Sequence, residues 1–273
     1  MSLAMPKTYL PAYWALFKTS WNASLIYRFN FFMWRFRQLL LLLTTYFFWT
    51  TFFTQTPTVF GYQKAQLVTY LLGTAVLNAL VLGSRSVDLA GIINRGDLSL
   101  YLLKPLGLFR YWLVRDLADK LLNLLFLSLE LGILLLFLRP PLYLPSSPSL
   151  VLLSLLAAVL SLFLYFYLNL IFSTLGFWTP QVWAPRFLLM IILQFAAGRF
   201  FPLDILPPTV FRLFRLTPFP YLIYFPLAVF LGRLSPPQLF AGFLLSFFWT
   251  VAFYLLARFL WQQGLKIYAS EGR

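Results

Sequence analysis

Residues 84–120 read SRSVDLAGIINRGDLSLYLLKPLGLFRYWLVRDLADK, and the reading of this stretch decides the fold. It holds Arg85, Asp88, Arg95, Asp97, Lys104, Arg110, Arg115, Asp116, Asp119 and Lys120, ten of the charged side chains in a chain with only 21 basic and 7 acidic residues. On either side the sequence is oily. Hydrophobic residues make up 61% of the 273 positions and aromatics 21%, and the mean hydropathy is +0.82. A single soluble core of this length cannot hide that much apolar surface, so the chain is predicted to be an integral membrane protein in which residues 84–120 are the long polar interruption.

The net charge of +14 would suit a nucleic-acid partner, but most basic residues flank apolar runs, where they meet anionic headgroups and orient helices. No nucleic-acid-binding motif accompanies the charge. With no cysteine and no histidine, disulfide and thiolate chemistry are excluded, and the commonest metal ligand and general base are missing. Lys7, Lys18 and Arg28 interrupt the first thirty residues before an apolar core forms, so no cleavable signal peptide is expected.

Outward from the polar stretch, apolar runs of membrane-crossing length are predicted at about 33–53, 64–83, 121–138, 150–172, 185–198 and 238–260. The fifth is short. Arg35 and Arg37 mark the inner end of the first run, where they are expected to snorkel. Ahead of it, Leu10, Tyr13, Trp14, Phe17, Trp21 and Leu25 recur at helical spacing, as in a helix lying on the membrane, or else as an early part of the first span. Between the fifth and sixth runs stand eight prolines, from Pro202 to Pro237, among apolar residues. Proline at that density breaks long helix while the side chains still seek lipid or protein, which predicts short helices that dip in and return, or a folded external loop packed on the bundle. With the N-terminus inside, fifteen cations fall on the cytoplasmic side and six on the other, so both termini are expected to be cytoplasmic.

Within residues 84–120, Val87 to Asn94 can form a short amphipathic helix, Arg95-Gly96-Asp97 a turn, Leu98 to Leu103 an apolar return and Lys104 to Gly107 a break before the third run. Asp116 and Asp119 share a helix face. They are read as a solvated face answering Arg115 and Lys120, or as paired carboxylates for acid–base work. Glu130 stands alone in the third run, either as a residue of a transport path or as a carboxylate buried against a hydroxyl or an arginine. The sequence contains no G-x-x-x-x-G-K-[ST] phosphate loop and no G-x-S-x-G elbow.

The six-run pattern, the segment GDLSLYLLKPLGLFRYWLVRD (96–116) and the segment GRFFPLDILPPTVFRLFRLTPFPYLIYFPLAVFLG (198–232) resemble the permease subunits of ABC-2 type ABC transporters. The most specific parts are the I-x-x-G-D-L-x-x-x-L-x-K-P run from Ile93 to Pro105 and the G-x-x-x-P-L-x-x-L-P run from Gly198 to Pro207. The resemblance implies an all-α membrane protein of one domain, residues 1–273, with six transmembrane helices. An N-terminal interfacial helix, a cytosolic coupling helix and a re-entrant helical segment before the last span complete it. It further implies an exporter subunit in the cytoplasmic (inner) membrane, paired with a second permease, identical or related, above separate ABC ATPase subunits. Val87, Asp88, Ile92, Ile93, Arg95 and Asp97 would then dock on the ATPase. Catalysis, cofactor and metal are expected to be absent from this chain, with ATP held and hydrolysed on the partner, and the cargo is expected to be lipophilic or amphiphilic. The competing expectations are a self-contained secondary transporter or lipid scramblase, which needs its own ion site, and a membrane-embedded transferase, which the missing histidine disfavours.

Overall fold

The computed structural model describes residues 10–26, 28–104 and 106–268. The expectations resting on Lys7, Pro105, Arg273 and the side chain of Arg28 lie outside the described residues. Eleven α-helices dominate the described residues, and the only strands among those residues are β1 (Thr58–Val59) and β2 (Tyr62–Gln63), which pair as a small antiparallel hairpin.

Helix α1 (Leu10–Ile26) precedes α2 (Arg28–Thr51) and packs along α6 (Leu108–Leu138) with no residue buried. Beyond the hairpin, α3 (Lys64–Leu77) begins at a capping box between Gln63 and Gln66 and runs on as a π-helical turn, Asn78–Leu82. The long helices α6, α7 (Pro148–Thr174) and α11 (Pro236–Ile267) have readable ends. α6 stops where Arg139 takes a left-handed backbone conformation before Pro140, while α7 and α11 start on Ser147 and Ser235 with proline as the first helical residue. Four helical stretches are long and apolar enough to cross a membrane: Lys64–Leu82, Leu108–Leu138, Pro148–Phe177 and Pro236–Ile267. The two other predicted runs correspond to α2, with 24 residues, and to the short apolar helix α8 (Trp183–Ala196).

Two expectations need correction here. The third run is not a helix of its own from about residue 121, because one unbroken helix starts at Leu108, just after the extended Gly107, and carries through it. Nothing between Leu108 and Leu138 breaks it, and Asp116, Asp119, Lys120 and Glu130 each find a partner where they stand. The second concerns Arg35, which does not snorkel. Its side chain is only 7% exposed and turns inward.

The proline-rich segment folds as α9 (Pro208–Arg215) and α10 (Tyr224–Phe230), joined by single 3-10 turns. α10 is buried along most of its length against α7, and Gly242 of α11 leaves room for the ring of Phe225, since a Cβ there would stand 2.1 Å from Cε2. The carbonyls freed by the breaks are answered by side chains from neighbouring helices. Tyr70 donates to Gly198 at 2.5 Å, Ser161 to Tyr221 at 2.5 Å, and the Trp49 indole to Phe200 at 2.9 Å. This is the condition under which irregular backbone is tolerated inside a bundle. At the hairpin, Arg233 pairs with Asp204 at 3.0 Å and donates to Gly61 O, while the Tyr62 hydroxyl donates to Asp204 at 2.7 Å. Burial, and then the neighbouring carboxylate, push the Tyr62 phenol well above its usual range, so it remains a donor.

Candidate functional site

The polar stretch folds into a compact unit under one end of the bundle. After a 3-10 turn at Arg85–Val87 comes α4 (Asp88–Asn94), then a turn in which Gly96 has φ +79°, then α5 (Leu98–Leu102). Apolar residues of both short helices, Leu89, Ile92, Ile93 and Leu98, share a core with Tyr111 and Trp112 of α6, Phe166 and Leu170 of α7, and Ala257 of α11. Two close approaches bring the parts together. A Cβ on Gly176 would stand 2.9 Å from Ala90 O, and one on Gly264 would stand 2.1 Å from Phe177 Cδ2.

The connector from α3 into α4 is held from four sides. From α6, Asp116 accepts from the Arg85 amide at 2.5 Å and pairs with Lys120 at 3.0 Å, while the Lys120 ammonium donates to Gly83 O beyond the π turn. Asp119, also on α6, accepts from the Arg85 guanidinium at 2.7 Å, and Ser24 of α1 accepts from the same guanidinium at 3.1 Å. Ser173 of α7 donates to Ser86 O at 2.7 Å. Arg186 of α8 donates to Val87 O and to Ser173 Oγ, each at 2.6 Å. At the far end of α4, Asn94 donates to Pro180 O at 3.0 Å, and the Tyr268 hydroxyl both donates to Gly96 O and accepts from the Ser99 amide. Side chains of α1, α6, α7 and α8, and Tyr268 just beyond α11, thus all hold α4 or its connector.

Of the six predicted docking residues, four face outward. Val87 is 42% exposed, Asp88 is exposed with Arg115 Nη2 at 4.0 Å, and Arg95 and Asp97 pair at 3.0 Å on the turn. Ile92 and Ile93 are a correction. They are 5% and 4% exposed and belong to the unit's own core, because the apolar face of a seven-residue helix has the bundle above it and is spent there. The outward surface continues onto α5 and its exit instead, with Leu100, Leu102, Leu103 and Lys104 exposed. The alternation of outward leucines around Tyr101 carried that signal in the sequence.

The carboxylates on α6 are also corrected. Asp116 and Lys120 are 1% and 2% exposed, so they form a buried pair rather than a solvated face, and Asp119 answers Arg85 rather than Arg115 or Lys120. Glu130 meets Arg35 of α2 in a two-pronged pair at 2.7 and 2.5 Å.

A bundle of long apolar helices carrying a polar unit between the second and third of its predicted spans is an all-α, multi-pass membrane protein. Its residues 39–272 match the family model described as ABC-2 family transporter protein, and the chain belongs to that family. Membership makes it a membrane permease of the ABC transporter class, which in general works with an ABC ATPase. No curated protein matches the chain.

Proposed function

We propose that this chain is the transmembrane subunit of an ATP-driven exporter in the cytoplasmic membrane, and that α4, the Arg95–Asp97 turn and α5 form its coupling element. The observation that carries the reading is the clamp on the α3–α4 connector: side chains from α1, α6, α7 and α8 converge on residues 83–87. An external push on α4 is thereby shared by the helices rather than absorbed in a loop. The spans are α2, α3, α6, α7, α8 and α11, both termini are cytoplasmic, and α9–α10 re-enter from the outer side. ATP stays on the partner ATPase, a second permease completes the pathway, and the cargo is a lipophilic or amphiphilic molecule drawn from the bilayer.

The docking surface in this reading is Val87, Asp88, Arg95 and Asp97 together with the leucines of α5. The test is co-purification of an ABC ATPase with the tagged full-length chain, followed by ATP hydrolysis and export with Arg95→Ala and Asp97→Ala combined. Loss of stimulated hydrolysis with the ATPase still retained is the expected result. Absence of any ATPase, or coupling unchanged by the double substitution, overturns the proposal.

A further inference from the structure

All six described carboxylates are committed to cations of their own chain: Asp88 to Arg115, Asp97 to Arg95, Asp116 to Lys120, Asp119 to Arg85, Glu130 to Arg35 and Asp204 to Arg233. Among the described residues, none lies within ion-pair distance of Arg199, which follows the end of α8. The Arg199 guanidinium is instead held by two neutral amides, donating to Gln194 Oε1 and to Gln38 Oε1 at 3.0 Å each. Gln38 lies about 15 Å along α2 from its first residue, where the uninterrupted apolar part of that helix begins at Leu39. A second cation, Arg37, precedes Gln38 on α2, and its guanidinium stacks on Trp34 at 4.1 Å.

The chemistry of this cluster is one-sided. Guanidinium has donors and no acceptor, so both glutamines must turn their carbonyl oxygens to Arg199, which points their amide N–H groups elsewhere. Those amide nitrogens, like Arg199 Nε, have no acceptor among the described residues. The site thus places a guanidinium and several amide donors between α2 and α8 with no carboxylate of the described residues in ion-pair reach. Unpaired charge at membrane depth is costly and marks a pathway or a ligand. A second copy of this chain would bring the same committed carboxylates in its described residues.

We infer that Arg199, with Gln38, Gln194 and Arg37, receives the anionic headgroup, a phosphate or carboxylate, of an amphiphile between α2 and α8. The inference rests on the permease reading and narrows its cargo from lipophilic molecules in general to anionic amphiphiles. Planar guanidinium suits this task because it meets phosphate or carboxylate oxygens two at a time.

The test is thermal unfolding of the purified full-length chain in a neutral detergent, titrated separately with phosphatidylglycerol, phosphatidylcholine and inorganic phosphate. Phosphatidylglycerol is expected to stabilise the protein, and the other two are not. Arg199→Gln should raise the phosphatidylglycerol midpoint by about tenfold or more, the effect of losing one charge-assisted contact, while Arg212→Gln on exposed α9 leaves it unchanged. Should Arg199→Gln fail to fold, Gln38→Glu serves in its place, since it puts a carboxylate beside Arg199 and should abolish the lipid response while stabilising the protein. Equal effects of the two lipids, an inorganic phosphate response matching that of phosphatidylglycerol, or a response retained by Gln38→Glu or a folded Arg199→Gln overturns the inference. The titration needs neither ATP nor ATPase, so its failure leaves the permease reading intact, and failure of co-purification leaves the binding result intact.

Discussion

Glu130 shows what a single side chain can and cannot reveal before the helices are assembled. Its cost in hydrocarbon was legible from its neighbours Leu129 and Leu131, but its partner was not, because Arg35 lies 95 residues away and was expected at the membrane surface. Once paired, the two charges satisfy each other, and removing one leaves the other buried. Glu130→Gln should therefore cost about 3 kcal/mol of stability, seen as earlier thermal unfolding in detergent, and Glu130→Leu combined with Arg35→Met should recover most of it. If Glu130→Gln instead unfolds like the parent but fails to export, the pair belongs to the transport path. The same logic applies to Asp116, whose replacement by Asn strands Lys120, a residue 2% exposed, and so should weaken the hold on the α3–α4 connector. Faster amide exchange at residues 83–87 is the measurement that detects it.

At the scale of elements, the long apolar helices and the polar unit of residues 84–104 are legible in outline. The short helix and the glycine turn fall where residues 87–97 predict, and the apolar return over Leu98 to Leu103 is itself a short helix, α5. Which way α4 faces was not readable, because both of its sides carry acceptable residues and the decision is made by Phe166, Leu170 and Phe177, which are distant in sequence. The start of α6 was missed for a related reason. Charges at Asp116, Asp119 and Lys120 look like the edge of a helix only until Arg85 and Gly83 are seen to use them. Close backbone packing supplies the sharpest test of this element. Gly176→Ala puts a methyl group against Ala90 O and Ala90 Cα, which are backbone atoms that cannot rotate away, so α4 must shift. The expected cost is about 1–3 kcal/mol, with ATPase stimulation reduced more than ATPase retention. Tyr268→Phe is the milder companion. It removes the hydroxyl shared by Gly96 and Ser99 and should cost about 1 kcal/mol, with exchange rising at the α4–α5 turn but not in α7.

For the whole molecule, the absence of cysteine makes topology directly measurable, since any introduced thiol is the only one. Leu103→Cys and Leu144→Cys fall at positions 83% and 80% exposed, on the loops after α5 and α6 respectively. With six spans and the termini inside, a membrane-impermeant maleimide should reach the first only from the cytoplasmic side and the second only from outside, whereas labelling of both from one side refutes the arrangement. The π turn that ends α3 gives this arrangement a mechanical character of its own. Its hydrogen bonds close over one residue more than those of an α-helix, so a residue of slack lies in series with the clamped connector. Converting the turn to α-helix would exchange its hydrogen bonds for those one residue shorter and move the connector by roughly 1.5 Å, the rise of a single helical residue. In the coupling role proposed for α4, its joint to the membrane helix would then move by one notch rather than as a stiff rod.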